Sequence, residues 1–216
     1  MASRISPPIV ALAVVLAIPI VPFLLYGPEI EDWVEGRFTN ALTPSAKASL
    51  VVAVLATDIL LPIPSSFVST FAGAHLGVVL GALASWLGMT IGAVLGFLLA
   101  RTGGRPLAVR LSSADELERM QSLGDRYGPY ILAMTRPLPV LAEAAVLWMG
   151  LAKMSWRRFL PVILLSNAGI ALAYSAFGYW AQEYNALPAA LAASILLPLL
   201  GAAVARRRMT GSTASD

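Results

Sequence analysis

Three stretches of this chain carry no charged side chain at all: Gly77–Ala100, Phe159–Ala181 and Leu187–Ala205. A helix rises 1.5 Å per residue, so each can cross a hydrocarbon layer about 30 Å thick. A fourth apolar run, Pro7–Tyr26, is also free of charge. Only 12% of all residues are charged and 58% are hydrophobic, against about 25% charged in a soluble domain. The composition predicts an all-α integral membrane protein.

Two further apolar segments, 49–73 and 130–152, are interrupted. The first contains "DILLPIPSSFVSTFAG" with Asp58, Pro62 and Pro64 in its middle; the second contains "TRPLPVLAEAAVLWMG" with Arg136, Pro137, Pro139 and Glu143. Proline lacks the amide donor and clashes with the preceding turn, so a Pro-x-Pro pair breaks a helix. Broken backbone inside a bilayer survives only when it is buried in protein or lines a wet cavity.

Charge distribution decides how these segments run. Basic residues in short loops mark the cytoplasmic side, whereas acids contribute little. Basic clusters occur at Arg101–Arg126, at Lys153–Arg158 and at Arg206–Arg208, with Arg4 before the first run. Residues 27–47 are acidic (Glu29, Glu31, Asp32, Glu35) and carry Trp33 and Phe38, as an interfacial segment would. If both interrupted segments cross, or only one does, at least one basic cluster falls outside. If both dip in and return, every basic cluster lies inside. The expected architecture is four transmembrane helices plus two opposed re-entrant helical hairpins. Matching broken segments in two halves point to an inverted repeat with a midplane site.

The expected organisation is an N-terminal span and interfacial segment (1–47), a core with both hairpins (48–183), and a C-terminal span with a basic tail (184–216). The first span is expected to be retained, since no small-x-small cleavage pattern follows it. Gly77, Gly81, Gly88, Gly92 and Gly96 fall near one helical face and read as a close-packing surface. Residues 112–126 read as a short helix opened by a Ser113–Glu116 capping box. Trp156 and Trp180 suit the interfacial belt, Trp86 and Trp148 suit packing, and His75 suits the boundary beside Gly77. The arginines of the tail suit anionic lipid rather than nucleic acid.

The residues 50–180 resemble the DedA family of SNARE-associated, VTT-domain membrane proteins, in particular its TVP38-like branch. The resemblance rests on "TDILLPIPSSFVSTFAGAHLG…GAVLGFLLARTGGRP" and on "DRYGPYILAMTRPLPVLAEAAVLWMGLAKMSWRRF" followed by "FGYW". It implies two opposed re-entrant hairpins and the movement of lipids between leaflets, in bacteria often tied to the proton motive force. It aligns the family's first-hairpin acid with Asp58 and the first arginine of an R-x-x-P-x-x-R pattern with Arg136, with Pro139 at its centre. Ser65 and Ser66 stand where the family often has an acid. Ala142 stands at the second arginine position, with Glu143 beside it.

A charge at the bilayer centre costs at least about 2.5 kcal/mol on insertion scales, so Asp58, Arg136 and Glu143 need partners or water. Arg136 is expected to bind an anionic head group through its planar fork of donors, with Ser65 and Ser66 lining the path. Asp58 and Glu143 are expected to carry protons, because burial raises a carboxyl pKa. The alternative is that Arg136 pairs with Asp58 or Glu143 only to pin the hairpins. The hydroxyls and Asn167 are expected to bond to nearby helix backbone.

Pro62, Pro64, Pro137 and Pro139 make the breaks. The sequence holds no cysteine and one histidine, and shows no nucleophile–base pair, so no catalytic residue, metal or cofactor is expected.

Three functions fit these residues. They are a flippase or scramblase for an anionic phospholipid or polyprenyl phosphate, a proton-coupled transporter of a small solute, and a non-transporting membrane organiser. The expected partners are membrane lipids and protons, with no nucleic acid; a homo-oligomer is compatible with the sequence. The expected location is a bacterial plasma (inner) membrane with both termini cytoplasmic. Cysteines introduced at Ser113 and Asn185 should label from opposite membrane faces; labelling from one face overturns the re-entrant topology.

Overall fold

The computed structural model describes residues 43–58, 64–104, 114–136 and 139–196. The expected spans at Pro7–Tyr26 and beyond Leu196, the Ser113–Glu116 capping box, and Pro62 and Pro137 lie outside the described residues. The chain divides into two compact units, Met1–Lys47 and Ala48–Asp216. The second holds nearly all of the described residues.

Among the described residues all regular structure is helical. The helices are α1 (Pro44–Ala56), α2 (Ser65–Leu99), α3 (Ala114–Thr135), α4 (Pro139–Leu151), α5 (Trp156–Glu183) and α6 (Leu187–Leu196). A π-helical turn, Ala100–Gly104, continues α2. Ser65–Gly104 and Trp156–Glu183 are long and apolar enough to cross a membrane.

α2 is not one rod. Gly77 sits at φ 77°, ψ 170°, a region open to essentially no other residue. A Cβ placed on Gly81 would lie 2.9 Å from the carbonyl of Ala72 and the amide of Gly73. Residues that far apart along a straight helix are more than about 10 Å distant. The chain therefore folds back at Gly77, making a short arm (65–76) and a long helix (78–99). The expected five-glycine packing face begins at Gly81, and Gly77 is the turn before it. Gly81, Gly88, Gly92 and Gly96 are all buried.

These glycines receive α1. A Cβ on Gly88 would meet Leu55 and Val52, and one on Gly92 would meet Leu55 and Asp58. The numbers rise together, so α1 runs parallel to 78–99 and ends beside its middle. Flanking the glycine face, Leu80, Leu83, Leu87, Ile91, Leu95 and Leu98 form an exposed stripe at helical spacing. A soluble protein rarely leaves such a continuous apolar face uncovered. Lipid contact accounts for it.

α5 runs antiparallel to 78–99. The Arg101 guanidinium donates to the Met154 carbonyl (2.8 Å), Phe97 stacks on Phe159 (4.1 Å between centroids), and Asn167 Nδ2 donates to Thr90 Oγ1 (3.2 Å). The Trp86 indole donates to the Leu164 carbonyl at 2.9 Å, which gives Trp86 the expected packing role. Trp156 packs edge-on to Phe97 and Phe159 at one end, and Trp180 is exposed near the other. His75, half-buried near the Gly77 turn, stacks on Phe71.

The two short arms are used reciprocally. Gly73 of the 65–76 arm lies against the Ser175 backbone of α5, and Gly178 of α5 lies against the Thr70 backbone. In the other half, Gly150 of α4 lies 2.5 Å, at Cβ, from the Phe97 carbonyl and beside Ala100 at the far end of 78–104. α4 turns into α5 at Lys153, whose φ is 57°. There the Met154 amide donates to the Met149 carbonyl at 3.1 Å, a Schellman closure with lysine in the usual glycine place.

Residues 114–126 and the start of the second interrupted segment, expected as separate elements, form one helix, α3. Pro129 inside it removes the donor that would bond the Asp125 carbonyl. Arg158 of α5 fills that vacancy: its Nη1 donates to the Asp125 carbonyl at 2.9 Å and to Asp125 Oδ1 at 3.0 Å. The helix therefore passes through Gly128-Pro129 unbroken. Arg101, Lys153, Arg157 and Arg158 all gather at this end of the bundle, opposite Gly77 and Asn185.

Gly77→Ala should lower stability by about 1–3 kcal/mol through backbone strain although space around it is open. Gly178→Ala should do the same by overpacking against Thr70. Gly169→Ala, a helical position with no neighbour within 4 Å, should leave the protein unchanged or slightly more stable. Thermal unfolding of the three variants in detergent checks this ordering.

Candidate functional site

The two interrupted segments, 49–73 and 130–152, approach each other at Asp58 and Arg136. α1 ends at Ala56, where the Thr57 hydroxyl folds back to the Ala53 and Val54 carbonyls at 3.1 and 3.0 Å. Asp58 follows in the turn, and its Oδ1 would lie 2.9 Å from a Cβ on Gly92. Glycine at 92 thus gives the carboxylate its place beside the long helix. Gly92 is near the middle of the 78–104 stretch, about 20 Å from the Gly77 turn at helical rise.

From the other half, α3 ends at Thr135, whose hydroxyl returns to the Ile131 carbonyl at 2.7 Å. Arg136 is the turn residue that comes next, and Pro139 opens α4. Proline suits that first helical position, where its missing amide would have no partner. Pro64 stands in the same relation to the 65–76 arm, as the extended residue before Ser65. Pro64 and Pro139 therefore stand at the starts of the two departing helices.

Arg136 is attracted by both Asp58 and Glu143, and the two acids act on each other. One guanidinium lies in the field of two carboxylates, Glu143 from the helix that follows it and Asp58 from the remote first half of the chain. Asp58 and Glu143 are half-buried. The Nε and Nη2 atoms of Arg136 are buried and find no hydrogen-bond partner among the described residues. Buried donors of this kind are costly unless something accepts from them. Ala142, at the second arginine position of the family pattern, is buried beside Glu143 and adds no charge.

Ser65 and Ser66 begin the arm leaving the first break. Ser65 is half-buried and Ser66 buried. The expectation that Ser66 and Asn167 bond to helix backbone is not met. Ser66 Oγ and Asn167 Oδ1 are buried without a partner among the described residues, and Asn167 Nδ2 goes to Thr90 instead. Ser69 and Ser85, which no sequence motif singles out, are likewise buried with unpartnered hydroxyls. Their signal in the sequence is the presence of hydroxyls among otherwise apolar positions facing the glycine surface. Among the described residues no cluster of His, Cys, Asp and Glu could hold a metal ion.

The arrangement can bind an anion at Arg136 and exchange a proton on either carboxylate, at the junction of two broken helices. Comparison with curated proteins and with solved structures finds no match. The family model of the VTT domain matches residues 63–180, which include the arm after the first break, the whole of the second break and most of α5. That match covers more than half of the chain, and the protein belongs to the VTT-domain (DedA) family.

Proposed function

We propose that the protein is a membrane lipid translocase, a flippase or scramblase, acting on an anionic phospholipid or polyprenyl phosphate in a bacterial plasma membrane. The observation that carries this is the Arg136 guanidinium, buried at the meeting of two helix breaks with two donors unspent. Phosphate oxygens accept from such a planar fork in a bidentate manner. The membership in a family of membrane-associated proteins supports a lipid role, and the sequence motifs favour its TVP38-like branch.

In this reading the pairs α1 with 65–76 and the end of α3 with α4 are two opposed re-entrant hairpins of an inverted repeat. The parallel course of α1 beside 78–99, the return at Gly77 and the reciprocal glycine contacts support it. The spans are 7–26, 78–104, 156–183 and one from Leu187 onward. The Arg101–Arg158 end then faces the cytoplasm, together with both termini.

At rest Arg136 is held by Asp58 and Glu143. Two carboxylates against one guanidinium leave a surplus negative charge, which a single proton removes. A proton arriving on either acid loosens its hold on Arg136 and frees the guanidinium for the lipid phosphate. The lipid's acyl chains stay in the bilayer while the head group crosses at the junction, where both breaks thin the apolar barrier. A potential or pH gradient across the membrane thereby couples to movement.

Purified protein in liposomes should move labelled polyprenyl phosphate or phosphatidylglycerol between leaflets, with the rate responding to an imposed pH gradient. Absence of movement for every anionic lipid, with and without the gradient, rejects the proposal; uptake of a soluble anion alone would make the protein a solute transporter. Arg136→Ala removes two charge-assisted hydrogen bonds, about 3 kcal/mol, and should slow transport on the order of a hundredfold. Asp58→Asn and Glu143→Gln should retain movement and lose its response to the gradient; an unchanged Arg136→Ala rate overturns the site.

A further inference from the structure

The core of the bundle is polar on one side of the charged cluster and apolar on the other. Between the cluster and the Gly77 turn lie Ser66, Ser69, Ser85, Thr90, Asn167 and Ser175. Ser69, Ser85, Asn167 and Ser175 have no exposure at all, and Ser66 has 4%. Helical register orders them. Gly81 meets Ala72 and Gly73, so Ser85, one turn on, faces Ser69, one turn back. Ser175 Oγ donates to the Ser69 carbonyl at 3.3 Å. Thr90 and Asn167 are joined at 3.2 Å on the side of the helix facing α5, and Ser66 stands one turn nearer the first break, and so nearer Asp58, than Ser69. The groups thus form a series that begins about two turns from Gly77 and leads toward the cluster.

Four atoms of this series, Ser66 Oγ, Ser69 Oγ, Ser85 Oγ and Asn167 Oδ1, are buried with no hydrogen-bond partner among the described residues. One such atom is tolerable; four in a row is not an ordinary helix contact. A buried polar atom left dry costs about 1–3 kcal/mol, and polar interior sites of this kind hold water. Toward the opposite end the character reverses. Phe97, Leu132, Val146, Met149, Phe159 and Ile163 pack together, each 1% exposed or less. Apolar interior of that sort stays dry.

We propose that Ser66, Ser69, Ser85, Thr90 and Asn167 line a water-filled seam that connects the Asp58–Arg136–Glu143 cluster to the aqueous phase at the Gly77 end only. The Phe97–Phe159–Met149 packing closes the other end. This rests on the reading that the cluster lies within the membrane, and it adds which side reaches it in the resting state. Water entering by the seam solvates the carboxylates and supplies protons from that face. Release toward the opposite face then requires the aromatic and methionine packing to part.

The chain's lack of cysteine allows a direct test that does not read transport. Ser69→Cys, Ser85→Cys, Met149→Cys and Ile163→Cys are placed singly in the full chain, with Asn185→Cys and Lys153→Cys as surface reporters for the two ends. Right-side-out and inverted membrane vesicles receive a brief pulse of silver ion in nitrate buffer. Thiols left unreacted are then counted with a maleimide after unfolding. S69C and S85C should be blocked in the vesicle orientation that blocks N185C and spared in the one that blocks K153C. M149C and I163C should react at least a hundredfold more slowly in both.

Equal protection of all four buried positions means a dry core and overturns the seam; blocking of S85C from both sides overturns its one-sidedness. Ser85→Ala gives an independent reading should a cysteine variant misfold. Loss of a hydrated hydroxyl leaves the melting temperature level or lower, whereas a clear rise marks a dry orphan and counts against the proposal. Failure of lipid movement with one-sided labelling intact would reject the translocase reading and leave the seam standing.

Discussion

An arginine between two carboxylates in an apolar bundle sets the terms for everything around it. Buried alone, any of the three charges would be costly to keep. Together they offset one another, but only if three chain ends reach one place from different directions. A continuous helix cannot deliver a residue from its middle into a shared junction with its backbone turned aside. Breaks can, and each break has its devices: Thr57 and Thr135 close the arriving helices, and Pro64 and Pro139 start the departing ones. The charges also explain the absence of a side chain at Gly92, where Asp58 needs the room.

Little hydrophobic force acts between helices in lipid, so close backbone contact and internal hydrogen bonds have to hold the bundle. The glycines at 73, 81, 88, 92, 150 and 178 permit that contact, and each touches backbone or a short side chain of a neighbour. Most large apolar residues along 78–99 are turned outward instead, Met89 and Phe97 being buried exceptions. The surface ion pair between Asp125 and Arg158 adds little as a charge pair, being about half exposed on both sides. Its greater part is the second bond, to the carbonyl that Pro129 left without a donor.

Much of this is legible in the residues. Charge-free length predicts the long helices, and Pro-x-Pro beside a charge predicts both breaks and the identity of the cluster. Sequence spacing cannot show that Asp58 and Arg136 share one junction, because their proximity depends on how two halves dock. The reach of α3 through Gly128-Pro129 is hidden because its remedy, Arg158, comes from another helix. Periodicity makes Gly77 one of a row, yet its backbone angles make it a turn, and no periodicity reports φ. The buried hydroxyls of Ser69 and Ser85 look like neutral small residues until the fold places them opposite each other.

The exchange of short arms has a consequence for biogenesis. Gly73 lies beside Gly81 but meets its closest surface on α5, the last long helix of the core to be made, and Gly150 finds its surface on a helix made long before. Neither half presents a finished surface to the membrane by itself. While the ribosome is still adding residues near 150, the first hairpin has its charge, its break and an undocked glycine face, with α5 yet to emerge. Until Ser175 and Gly178 arrive, Gly73 and Thr70 lack the backbone partners that complete their packing.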